Sequence, residues 1–199
     1  AHNPLVAKLA EQAGFGGIWG SGFELSASYA VPDANILSMS THLEMMRAIA
    51  STVSIPLIAD IDTGFGNAVN VHYVVPQYEA AGASAIVMED KTFPKDTSLR
   101  TDGRQELVRI EEFQGKIAAA SAARADKDFV VIARVEALIA GLGQQEAVRR
   151  GQAYQEAGAD AILIHSRQKT PDEILAFVKS WPGKVPLAVS YTHLRAHET

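Results

Sequence analysis

One junction recurs three times in this chain. Ala13-Gly14-Phe15-Gly16-Gly17-Ile18, Ala81-Gly82-Ala83-Ser84-Ala85-Ile86 and Ala157-Gly158-Ala159-Asp160-Ala161-Ile162 each carry a helix end through a glycine cap into an apolar run. Helix and strand patterns alternate throughout. Strands are expected near residues 17–20, 56–60, 82–90, 129–136, 160–166 and 185–189, with helices near 3–13, 41–50, 67–81, 110–124, 144–157 and 171–181. The strands are apolar on both faces, as in a parallel sheet covered by helices.

Polar groups gather where those strands end: Ser21, Asp60, Asp62, Glu89, Arg134 and His165. A (β/α)8 barrel builds its site from successive strand ends, whereas a doubly wound sheet gathers it at one switch point. The α/β, TIM-type barrel is therefore the expected fold. The chain starts on a helix capped by Asn3 and Pro4, with Leu5, Leu9 and Ala13 on one face. With no strand in front, and no βα unit after Val189, the expectation is a barrel lacking its first strand and last unit. Residues 1–189 would be one domain. Residues 190–199 continue no period and read as a foreign tail, so His193 and His197 are set aside as ligands.

Several residues are ambiguous alone. Asp60 and Asp62, at i and i+2 of a strand, would share a face and need a cation or donors; one could simply cap the next helix. Gly20-Ser21-Gly22 could receive an anion or merely turn. Asp33 reads as a solvated turn residue, and His165 as a structural histidine. Thr41 and Glu44 suggest a capping box, and Pro76 should disturb its helix. Arg134, in an apolar run, needs an acid or a ligand anion. Residues 91–105 form a long polar segment whose Lys91, Lys95, Arg100 and Arg104 could close over an anion, or stay solvated.

Net charge is −5 with no basic stripe, which argues against nucleic-acid or membrane-surface partners. There is no cysteine, hence no thiolate metal site or nucleophile. No run is long enough to span a bilayer and no signal pattern opens the chain, so a cytoplasmic protein is expected.

Taken together, these motifs resemble the phosphoenolpyruvate mutase / isocitrate lyase superfamily. The residues that carry the resemblance are Ala-His-Asn at the start, Ile-Trp-Gly-Ser-Gly at 18–22, Asp-Ile-Asp-Thr-Gly-Phe-Gly-Asn at 60–67, Glu-Asp-Lys-Thr-Phe-Pro-Lys at 89–95, Ala-Arg-Val-Glu-Ala at 133–137 and His-Ser at 165–166. The resemblance implies a homo-oligomer, dimer or tetramer, and a small phosphonate or 2-oxo acid substrate. It implies Mg2+ bound directly by Asp60, with Asp62, Glu89 and Asp33 holding its waters, and Mn2+ or Co2+ as substitutes. Ser21, Gly22 and Phe23 would hold a pyruvyl group, with Trp19 as a wall. Arg134 and His165 would contact a phosphonyl group. Lys95, Thr97 and Ser98 would lie on a loop that closes over it. Asp33 is left as either a nucleophile or an orienter of water and metal.

Departures narrow the reaction. Lyase members carry a cysteine in the closing loop, and this chain has Pro94-Lys95-Asp96-Thr97-Ser98-Leu99 instead. Mutases carry Asn at the position of Thr97 and tend to carry Tyr at that of Phe65. The resemblance thus implies hydrolysis of the P–C bond of phosphonopyruvate. The alternatives are the mutase isomerisation, an oxaloacetate-type hydrolase or decarboxylase, and an inactive barrel fragment.

Overall fold

The computed structural model describes residues 1–100 and 102–191. The elements are α1 (Pro4–Gln12), β1 (Ile18–Gly20), α2 (Gly22–Ser28), α3 (Met39–Ala50), β2 (Leu57–Asp60), α4 (Ala68–Ala80) and β3 (Ala85–Glu89). They continue with α5 (Ile110–Ala123), β4 (Val130–Val135), α6 (Gly143–Glu156), β5 (Ala161–Ser166), α7 (Asp172–Ser180) and β6 (Leu187–Tyr191).

All strand pairs are parallel, and the sheet order is the chain order, β1 to β6. Each strand thus lies beside the one before it, with helix in between, and no point exists where the order reverses. That is barrel order, and it excludes the doubly wound alternative. All carboxyl ends of the strands fall on one rim. β3 and β5 are buried along their whole length, which accounts for their unbroken apolar runs. Helix side chains such as Tyr78, Phe113, Tyr154 and Phe177 fill the layer outside them, wholly buried. Each such side chain contributes roughly 1.5–3 kcal/mol of apolar burial. No helix among the described residues is long and apolar enough to cross a membrane.

The structure differs from the sequence expectation in several places. A short helix, α2, follows β1 where a plain turn was an open reading. Ser21 caps it, its Oγ accepting from Glu24 N at 3.1 Å. α3 begins two residues before Thr41, because Ser38 Oγ accepts from Thr41 N at 3.2 Å. On α1, Leu5 and Leu9 face outward, and the inward position is Ala7, whose small side chain is fully covered. α4 runs through Pro76 without interruption. β6 continues to Tyr191, paired with Ser166, so Ser190 and Tyr191 belong to the sheet although they fall in the segment read as a tail. Residues 192–199, with His193 and His197, lie outside the described residues.

Candidate active site

β2 stops at Asp60, and the chain then turns sharply rather than extending to Asp62. Asp62 and Phe65 adopt left-handed backbone, with φ of 53° and 57°. Gly64 has φ of 87°, and a Cβ there would stand 2.7 Å from both Met88 Sδ and Val71 Cγ2. The turn therefore needs glycine at that point. It brings Asp62 back beside Asp60, whose Oδ1 accepts from Asp62 N at 3.2 Å. The two acids do share a region, by a turn and not by strand alternation.

Two more acids join them. Glu89 ends β3 and is 2% exposed. Asp33, which alone reads as a solvated turn residue, is buried. Lys95 accounts for both positions. Its Nζ donates to Asp62 Oδ1 at 2.5 Å and stands 3.1 Å from Asp33 Oδ1 and 3.5 Å from Glu89 Oε1. Burial alone would lower this ammonium, but Glu89, Asp62 and Asp33 carry it well above its ordinary value. Asn35 closes the arrangement: its Nδ2 donates to Asp62 Oδ2 at 3.0 Å and its Oδ1 accepts from Lys95 N at 2.7 Å. Burial, then the charge of Asp62, push the Asp60 carboxyl up to about 7 against the pull of Arg134 and Lys95.

The cluster is electrostatically incomplete. Asp33 Oδ1 and Glu89 Oε1 are buried without a well-formed hydrogen bond, and each faces the Lys95 charge instead. The donors are carboxylate oxygens, with no sulfur or imidazole among them. A hard divalent cation such as Mg2+ fits that donor set. Among the described residues no three acids or histidines form a ready cage, since the Lys95 ammonium stands between them.

Beside this cluster lies a cavity of about 270 Å³ at the carboxyl rim of the sheet. Trp19, Ser21, Phe23, Asp33, Asp60, Lys95, Thr97, Ser98, Arg134 and His165 line it, so the structure brings most of the expected site residues together. Gly22, Asp62 and Glu89 sit behind the wall. A Cβ on Gly22 would meet Asp62 Oδ1 at 3.1 Å, which shows how closely α2 approaches the acids. Ser21 is committed to the fold: its Oγ caps α2 and its N donates to Ala1 O at 3.2 Å. The amides of Gly22 and Phe23, in the first helical turn, have no intrahelical acceptor.

Arg134 finds its partners inside the protein. Its Nε donates to Glu136 and stands 3.4 Å from Glu89 Oε2; its Nη1 is 3.9 Å from Asp60 Oδ2. His165 Nδ1 lies 2.8 Å from Glu136 Oε1 and 2.7 Å from Arg134 Nη2. Burial would raise the Glu136 carboxyl, but Arg134 and His165 hold it well below the ordinary range.

The polar segment after β3 is neither solvated nor loose along its whole length. Lys91 and Leu107 form an antiparallel bridge. Lys91 Nζ donates to Asp96 O at 2.8 Å and Ser98 Oγ at 2.7 Å, both inside the segment. The four cations divide. Lys91 and Lys95 are buried, while Arg100 pairs with Asp102 at 3.1 Å and Arg104 with Glu106 at 3.5 Å, all four exposed.

Sequence reasoning missed Glu136, Asn35 and the cavity-lining Ser190, and it placed Lys91 in the polar segment as a cation for a ligand anion, not as a neighbour of Glu136. Glu136 had a signal, because it follows Arg134 at i+2 and so shares its face of the strand. Lys91 follows two acids directly. Asn35 and Ser190 had none.

Comparisons with known proteins identify the family. The family model described as phosphoenolpyruvate phosphomutase matches residues 1–198. The chain is 97% identical over 189 residues to phosphonopyruvate hydrolase of Variovorax sp. (strain Pal2), covering 95% of this chain and 65% of that protein. It is 47% identical over 193 residues to phosphoenolpyruvate phosphomutase of Tetrahymena pyriformis, covering 97% of this chain and 64% of that one. A crystal structure of phosphonopyruvate hydrolase in complex with oxalate and Mg2+ superposes with a TM-score of 0.89 at 94% identity, over 95% of this chain and 64% of that chain. The chain thus spans a little under two thirds of the length of these relatives. By family model, by sequence and by fold, it belongs to the phosphoenolpyruvate phosphomutase family.

Proposed function

We propose that the full-length protein is an Mg2+-dependent phosphonopyruvate hydrolase, releasing pyruvate and phosphate. The observation that carries this reading is the gap between 97% identity to a hydrolase and 47% to a mutase. Thr97 at the cavity wall supports it. A hydroxyl shorter than the Asn side chain of mutases leaves room for a water.

Asp60 would hold Mg2+ directly, with Asp62, Glu89 and Asp33 around it, and Mn2+ or Co2+ could replace it. Once bound, the ion would supply positive charge to the keto oxygen of the pyruvyl group as the P–C bond weakens. The Gly22 and Phe23 amides would receive the carboxylate. Arg134 and His165 would bind the phosphonyl oxygens, and their charge and hydrogen bonds would favour a loose phosphoryl transition state. Thr97 and Ser98 would close the wall and hold the attacking water. The water oxygen bonds to phosphorus, the P–C pair stays with carbon as the enolate of pyruvate, and proton return to that carbon completes the product. A cytoplasmic homo-oligomer, and a single barrel domain that runs from residue 1 through the end of β6, belong to the same proposal.

The test is phosphate and pyruvate release from phosphonopyruvate with Mg2+, on the full-length protein. Equal amounts of both support the hydrolase. Accumulation of phosphoenolpyruvate without phosphate would replace it with the mutase.

A further inference from the structure

Glu136 follows β4 immediately and is fully buried. It lines no part of the cavity, yet three residues that do line it converge on its carboxylate. Arg134 Nε donates to Oε1, His165 Nδ1 lies 2.8 Å from the same oxygen, and Ser98 Oγ donates to Oε2 at 2.7 Å. Lys91 Nζ adds a charge 3.6 Å from Oε2. These four partners come from β4, β5, the start of the polar segment and its middle. All four meet at one carboxylate, although Ser98 also accepts from Lys91 at 2.7 Å.

That carboxylate also decides a conflict. His165 Nδ1 faces Arg134 Nη2 and Glu136 Oε1 at nearly equal distance. Arginine only donates and an ionised carboxylate only accepts. Nδ1 can therefore carry a proton for Glu136 or stay bare for Arg134, and cannot do both. Glu136 takes the Nε of the same guanidinium, so it holds both rivals in place. Arg134 already has Glu136 and Glu89 as acceptors and can forgo Nδ1, so the Nδ1–H to Oε1 bond is the arrangement that leaves every group with a partner of the right kind.

We propose that Glu136 is the positioning residue of this pocket, fixing His165 in its Nδ1–H form, aiming Arg134, and tying Ser98 of the polar segment to both. A buried ion pair kept only for stability would satisfy Glu136 with partners away from the cavity. Here three of its partners are the wall itself. The kinetic part of this inference rests on the phosphonopyruvate reading; the part concerning the histidine ring does not.

The experiment uses full-length enzyme with ring-15N histidine, the His165 signals being assigned by their loss in His165→Asn. Wild type is expected to show a protonated Nδ1 at His165. A bare Nδ1 in wild type overturns the proposal, with no variant needed. In Glu136→Gln, the amide can still accept but no longer carries charge. The expected results are a shift of the Nδ1 signal and a fall in kcat of about 10–100-fold, with KM moving less. Glu136→Asp should restore the Nδ1–H signal and part of kcat. A folded Glu136→Gln with the wild-type ring signal and kcat overturns the proposal. If wild type releases no phosphate from phosphonopyruvate, the functional reading falls, and the ring signals of wild type still decide the role of Glu136.

Discussion

Glu89 and Asp90 are adjacent, both acidic and both buried at the end of β3. Their surroundings differ in completeness. Asp90 Oδ1 accepts from Glu136 N at 2.9 Å, and its Oδ2 accepts from Arg150 Nη1 at 3.0 Å and Tyr154 OH at 2.6 Å. Glu89 Oε1 has no hydrogen bond, and faces a lysine that Asp62 and Asp33 also claim. One residue apart, the chain passes from an acid the protein satisfies by itself to one it does not. The first joins α6 to the sheet. The second stands beside a cavity, where an ion or ligand can complete it. Burial and charge are common to both, and only the count of donors separates structure from site.

The largest test of that contrast is on the incomplete side. Asp60→Ala in the full-length enzyme should abolish metal-dependent turnover, with a loss beyond the ~10–100-fold typical of an outer partner of a metal. A titration of phosphate release against Mg2+ measures it, and retained activity would remove the metal assignment. On the complete side, Arg150→Met strands Asp90 and Tyr154 without their cation. Breaking a buried pair in this way costs about 3–5 kcal/mol, so denaturant midpoints should fall sharply. Loss of turnover without loss of stability would show that the Asp90 cluster belongs to the site after all.

A smaller effect lies behind the incomplete cluster. His42 is buried, its Nδ1 lies 2.7 Å from Tyr78 OH, and its Nε2 has no hydrogen-bond partner. Burial, with the charge of Lys95, lowers it from 6.5 to about 4. The folded state thus binds this proton less readily than the unfolded chain. The stability from a neutral His42 is full above pH 6.5, is lost as pH falls towards 4, and changes no further below that. The total is about 3 kcal/mol over that window. Denaturation of wild type and His42→Gln at a series of pH values should show the wild-type slope flattened in the variant. An unchanged slope would show that burial and the Lys95 charge do not hold His42 neutral below pH 6.5.

The order of strands and the rim where they end could be read from apolar runs and from the recurring glycine junction, because both arise from local pattern. Asp60, Glu89, Arg134 and His165 were legible for the same reason: a polar residue closing an apolar strand stands out. Asp33 and Lys95 were not legible as a pair, since 62 positions separate them and only the folded loop brings them within 3.1 Å. α2 escaped because it begins with glycine and is only 7 residues long. Leu5 and Leu9 share a face as their spacing implies, but an apolar stripe does not tell which way that face points, and here both are exposed. Glu136 was in plain view at i+2 from Arg134, and went unread because its importance lies in contacts from three other segments.

The bridge between Lys91 and Leu107 has a practical side. Thr92 N also donates to Glu106 O at 3.0 Å, so both feet of the intervening segment are clamped together next to β3. Whatever lies between those feet hangs from a fixed base. Its middle is held as well, Lys95 by Asp62 and Ser98 by Glu136. The stretch is thus anchored twice, at its feet beside β3 and at its middle on the acids of the rim, so Lys95 and Ser98 reach the cavity from a closed loop and not from a free arm.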